Sequence, residues 1–139
     1  MGLDMWLTRA NREEAEGFNN LLPDEQRRTP SPWNEVGYWR KANHIRDWFI
    51  RKHDGHRKDE CEFEVTKEEL ELLRDTCKKV LENHELAEEL LPRADGFFFG
   101  SQEYNEWYYE DLEETIRICT YVIDSTNWEE DIVEYMEWW

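Results

Sequence analysis

The chain has no apolar run approaching the roughly eighteen residues that a membrane-spanning helix needs. Its start, Met1-Gly2-Leu3-Asp4-Met5, has neither the cationic residues nor the apolar stretch of a signal peptide. A soluble cytoplasmic protein with no membrane partner is expected. Gly2 invites comparison with a myristoylation site, but Trp6 stands where that motif takes serine or threonine. Cysteine is scarce as well. Cys61, Cys77 and Cys119 are too few and too widely spaced for a disulfide framework, and the last two fall on apolar stripes, so reduced thiols are expected. Basic residues nearly vanish toward the C-terminus. Residues 1–58 hold 11 Lys/Arg against 9 Asp/Glu, residues 59–100 hold 5 against 13, and residues 101–139 hold 1 against 12. Residues 59–139 thus carry −19 and residues 1–58 carry +2, so the whole net charge of −17 arises beyond residue 58. Such a surface repels nucleic acid and favours basic protein partners, while also keeping an aromatic-rich chain soluble.

Signatures of catalysis are missing too. Gly96 and Gly100 flank phenylalanines with no lysine following, which is not a phosphate-binding loop, and no serine sits in a nucleophile elbow. Glu110, Asp111, Glu113 and Glu114 run along one helix, whereas acid–base work needs two carboxylates converging in a cleft. His44 has the chemistry of a general base but no nucleophile placed for it. His53, His56 and Cys61 lack the second ligand pair that zinc takes. No catalytic residue, metal or cofactor is expected, and the protein is read as a binding protein rather than an enzyme.

At 139 residues the chain is one domain, and 39% hydrophobic residues with 8 Trp, 6 Tyr and 6 Phe suffice for one aromatic core. Leu3, Met5 and Leu7 alternate with polar partners, which predicts a strand over residues 2–8. Residues 9–34, with Pro23, Pro30 and Pro32, read as a long connection holding a helical turn near Asn11 to Phe18. Val36, Tyr38, Trp39, Ala42, Ile45, Trp48 and Phe49 then recur at spacings of three and four, predicting an amphipathic helix over 35–50 with Asn34 as its N-cap. Residues 51–60 read as an exposed loop. Cys61, Phe63 and Val65 alternate as a second strand, and Thr66 with Glu69 makes a capping box that opens a helix over 67–83. Ala87 to Leu91 forms a further turn. Phe97 to Phe99 are too apolar for an ordinary loop and act either as a core plug or as an exposed anchor. A third long helix is predicted over 104–124, with Tyr108, Leu112, Ile116, Cys119, Val122 and Ile123 inward. Periodicity alone leaves Asp131 to Trp139 open between strand and helix.

Several strings occur together: Gly2-Leu3-Asp4-Met5-Trp6-Leu7, Glu35-Val36-Gly37-Tyr38-Trp39-Arg40-Lys41-Ala42-Asn43, Ala87-Glu88-Glu89-Leu90-Leu91-Pro92, and Gly96-Phe97-Phe98-Phe99-Gly100-Ser101 with Glu103-Tyr104. In these the chain resembles a family of small uncharacterised proteins encoded by bacteriophages and prophages among their accessory genes. The resemblance brings no activity. It implies expression in an infected bacterial cytoplasm, a role in managing the host or its defences, and a strand for the C-terminal segment.

The expected fold is therefore α+β, with a three-stranded antiparallel sheet from residues 2–8, 61–65 and 131–137 packed against helices 35–50, 67–83 and 104–124. Two binding surfaces are expected. One is acidic, built from Glu103, Glu106, Trp107, Glu110, Asp111, Glu113 and Glu114, and is expected to dock a host protein with a basic surface, with DNA-like charge mimicry as one way of doing so. The alternative is a small phosphorylated ligand or nucleotide on Trp39, Arg40, Lys41, Asn43, His44 and Arg46, with Trp48, Arg51 and Lys52 beyond. Set against it, those cations pair internally with the acidic C-terminal part. An enzyme of unrecognised class is the third reading.

Overall fold

A computed structural model describes residues 2–53, 62–93 and 104–138. Strand β1 (Asp4–Asn11) is followed by helices α1 (Arg12–Asn19) and α2 (Pro23–Arg28), strand β2 (Asn34–Arg40) and helix α3 (Asn43–Lys52). Strand β3 (Glu62–Val65), helix α4 (Lys67–Glu82), a 3-10 turn at His84–Leu86, helix α5 (Ala87–Leu90), helix α6 (Glu106–Ser125) and strand β4 (Asp131–Trp138) complete the chain. The strands form one antiparallel sheet in the order β2-β1-β4-β3.

The α+β class is as expected, and the sheet has four strands rather than three. The additional strand is β2, which occupies the first half of the helix predicted over 35–50. Val36 and Trp39, three apart, suit a helix, but Gly37 and Trp39 are buried while Tyr38 and Arg40 are exposed, which is the period-two pattern of a strand. Valine and aromatic residues also favour a pleated surface. Lys41 then takes φ 55°, in the left-handed region, so no helix runs through it. Asn34 opens β2 and caps no helix. The helical period is kept only over Asn43–Lys52.

The remaining elements follow their local signals. Asn11 caps α1 by accepting from the Glu14 N–H, and Thr66 caps α4 by accepting from the Glu69 N–H at 3.2 Å. Asn105 caps α6, its Oδ1 accepting from the N–H groups of Trp107 and Tyr108. The polar connection over 9–34 contains α1 and α2, and β1 runs on to Asn11. The C-terminal segment is a strand lying between β1 and β3, so it carries pairing on both sides. Phe97 to Phe99, His56 and Cys61 lie outside the described residues.

Leu3, Met5, Leu7, Trp39, Val133, Tyr135 and Val65 are buried on the inner face of the sheet. Phe49 of α3 stacks on Tyr135 at 4.6 Å between ring centroids, and Tyr135 stacks on Phe63 at 4.9 Å. Leu70, Leu73, Cys77 and Val80 of α4 meet Leu112, Cys119 and Val122 of α6 in the same core, and Cys77 and Cys119 are free, buried thiols. Among the described residues no helix is long and apolar enough to cross a membrane.

Gly37 brings β2 under α6. A Cβ there would lie 2.5 Å from Ile118 Cγ2, and Ile118 is a buried β-branched residue with little rotameric freedom. Gly37→Ala is therefore expected to cost about 1–3 kcal/mol through overpacking, and with Ile118→Ala, which removes that Cγ2, the double variant should lose less than the sum of the two single losses in urea denaturation. An unchanged midpoint for the single variant would mean that α6 shifts freely over β2.

Candidate functional site

The expected basic surface does not form as one helical face. Trp39 sits on β2 inside the core and donates its indole N–H to Thr115 Oγ1 at 2.8 Å. Arg40 is exposed at the end of β2, Lys41 occupies the turn, and Arg46 lies on α3. Arg46 pairs with Glu137, whose side chain is almost fully buried on the inner face of β4. Arg51 pairs with Asp47 one turn back at 2.9 Å, and Lys52 lies 5.6 Å over the Trp48 ring. The cations are thus spread over three elements, and Arg46 is held by the acidic C-terminal part, through a strand rather than the helix. His53 stacks on Phe63 and meets Glu69 Oε2 at 2.7 Å, so it serves the core rim. Glu69 is the residue that the capping box placed at N3.

Two residues from opposite expected surfaces meet instead in one buried cluster. His44, from α3, is 0% exposed, and its Nε2 lies 3.8 Å from Asp111 Oδ2 on α6. Arg93, just after α5, approaches His44 Nδ1 at 3.1 Å and lies over the Tyr108 ring at 5.0 Å. A guanidinium only donates, so Nδ1 accepts and the neutral ring carries its proton on Nε2. That Nε2 has no hydrogen-bond partner among the described residues. The rings of His44 and Tyr108 lie 4.4 Å apart, and Tyr108 donates to the Leu91 carbonyl at 2.6 Å. Tyr104 accepts from the Arg93 backbone N–H at 3.2 Å.

Burial and the Arg93 charge push the His44 imidazole well below the ordinary histidine range, keeping it neutral. Burial pushes the Asp111 carboxyl up to about 6 despite the attraction of Arg93, with Glu110 and Glu114 adding to the rise. The cluster is therefore a proton-bearing joint between α3, α6 and the segment after α5. Arg93 belonged to neither expected surface. A signal for it exists, since it is the sole basic residue between 80 and 116, and a lone cation in so acidic a stretch is apt to be spoken for.

The outer side of α6 keeps most of the expected acidic set. Glu106, Glu110 and Glu113 are exposed, and Trp107 stands among them 66% exposed. Glu114 is half-buried and bonded to Arg117 through both carboxylate oxygens. Asp111 departs from the set, turned toward His44, and Glu103 lies outside the described residues. Among the described residues no group of three or more potential ligands gathers where it would hold a metal ion. No protein-family model, no curated protein and no solved structure matches this chain.

Proposed function

We propose that the protein acts by binding, docking the solvent face of α6 onto a basic surface of a host protein, and that its setting is a phage-infected bacterial cytoplasm in which that partner serves defence. The observation that carries this reading is Trp107, two-thirds exposed among Glu106, Glu110 and Glu113. An indole left in water is unfavourable, and carboxylates crowded on one face repel one another. Both penalties are relieved by a partner that covers the ring and supplies cations. A binding rather than catalytic role is supported by His44, which is fully enclosed and out of a substrate's reach.

Reversal of Glu106, Glu110 and Glu113 to lysine is expected to weaken partner capture by at least about tenfold while leaving thermal stability nearly unchanged, since exposed charges contribute little to folding. Trp107→Ala should slow nothing in folding and shorten the lifetime of the complex. Capture from bacterial lysate at low and high salt, followed by titration of the captured protein, measures both. If the triple variant binds as tightly as the parent, α6 is not the docking face.

A further inference from the structure

The face of the sheet turned away from α3, α4 and α6 has a regular layout set by strand register. Asp4 lies between Arg40 and Trp138, Trp6 between Tyr38 and Met136, and Thr8 between Glu35 and Glu134. Glu62 follows Met136 and Glu64 follows Glu134 on β3. Aromatic rings occupy the first two rows. Trp138 is 75% exposed and Tyr38 is 40% exposed, while Trp6 is half-buried with its ring 5.8 Å from that of Tyr38. Tyr38 donates its hydroxyl to Asp4 Oδ1, which ties the ring to the neighbouring strand. Beside the third row lies an open cavity of about 320 Å³ lined by Thr8, Asn19, Trp33, Glu62, Glu134 and Met136.

We propose that this open sheet face is a docking surface for an extended, arginine-bearing segment of a partner protein. It is a different face from α6 and stands independently of the reading given for that helix. The first argument is charge. Asp4, Glu35, Glu62, Glu64 and Glu134 surround the rings, against Arg40 at one corner and Arg12, which is paired with Glu64 at 2.8 Å. Glu64 and Glu134 stand directly opposite across the strands, a like-charge pairing that Arg12 answers on the Glu64 side. Burial with Glu62 and Glu64 nearby pushes the Glu134 carboxyl upward, a sign of the same repulsion.

The second argument is geometry. Successive rows on one face of a strand are about 6.5–7 Å apart, which is also the spacing of alternate side chains in an extended peptide. Arginines at alternate positions would therefore reach successive rows. A guanidinium stacks on an indole or phenol ring while bonding a carboxylate beside it, which lysine does less well. The carboxylates repel a nucleic-acid backbone, and a second copy of this chain would set like charges against like.

The test uses the full chain, isotopically labelled, with short synthetic peptides alternating serine with arginine, lysine or glutamate, at about 0.15 M salt to screen diffuse attraction. The arginine peptide is expected to shift the indole N–H signals of Trp6 and Trp138 and the amides of β1 and β4. It should bind more tightly than the lysine peptide, and the glutamate peptide should not bind. Trp138→Ala combined with Tyr38→Ala should weaken the arginine peptide by about tenfold or more, while Trp107→Ala leaves it unchanged. Should the double variant fail to fold, Trp138→Ala alone, at a position three-quarters exposed, decides the matter by a loss of at least about threefold. Shifts centred on Trp107, shifts spread evenly over every acidic surface, equal affinity for the lysine peptide, or a Trp138→Ala variant that binds like the parent would each overturn the proposal.

Discussion

Arg46→Ala should cost about 1.5–3 kcal/mol of folding stability, the largest loss expected from any charged residue discussed for this protein. Glu137 is 3% exposed, so truncating Arg46 removes a charge-assisted hydrogen bond from a carboxylate that water does not reach. The pair also ties α3 to β4, joining elements 91 residues apart in sequence. Glu137→Gln should cost less, because an amide keeps the shape and still accepts a hydrogen bond. Arg46→Met together with Glu137→Leu should recover much of the loss, since apolar residues of similar volume often replace a buried ion pair at little cost. Urea denaturation of the two single variants and the double gives the coupling directly. A loss below about 1 kcal/mol for Arg46→Ala would mean that Glu137 is satisfied without it.

Asp111→Asn should act in the opposite direction, stabilising the protein by about 1–3 kcal/mol at pH 8. The Asp111 carboxyl is raised from 3.8 to about 6 in the folded state, so folding favours its protonated form. The stability this group contributes is fully present below its unfolded value, and it is lost as pH rises from about 4 through about 6. Asparagine has no proton to lose, so the advantage of the variant should grow over that window and disappear near pH 4. Burial is the larger cause of the rise, and the attraction of Arg93 opposes it. Melting temperatures of parent and variant across pH 4 to 8 separate the two. If Asp111→Asn is the less stable protein at pH 8, the attraction between Asp111 and Arg93 outweighs the burial of the carboxylate.

These two residues also show where sequence patterns reach their limit. Arg46 and Asp111 each occur in a run of charges that reads as a solvated helix face, and periodicity says nothing about which member of the run turns inward. In α6 the apolar residues Tyr108, Leu112 and Cys119 mark the buried stripe, and Asp111 lies at its margin, where the position of a neighbouring helix decides between water and protein. That neighbour, α3, is set by β2, and β2 is the element whose local pattern was ambiguous. Val36, Tyr38 and Trp39, with spacings of two and three, satisfy both templates, and only the pairing of Trp39 with Met5 and of Gly37 with Leu7 selects the strand. Moving residues 35–40 from helix to strand also breaks up the basic surface, because it sends Trp39 into the core.

The α+β class, the inward faces of β1, α4 and α6, the cap at Thr66 and the division of charge along the chain were all legible in the residue pattern. Each of these depends on contacts within about one turn or on the alternation of one strand, so residues near in sequence carry the information. That β2 is a strand, that Arg46 is matched to Glu137, that His44, Arg93 and Asp111 meet, and that Tyr38 and Trp138 stand exposed among carboxylates on one sheet face came from the folded arrangement alone. Those outcomes depend on long-range pairing, where the burial free energy of the whole core overrides local preferences worth a few tenths of a kcal/mol per residue.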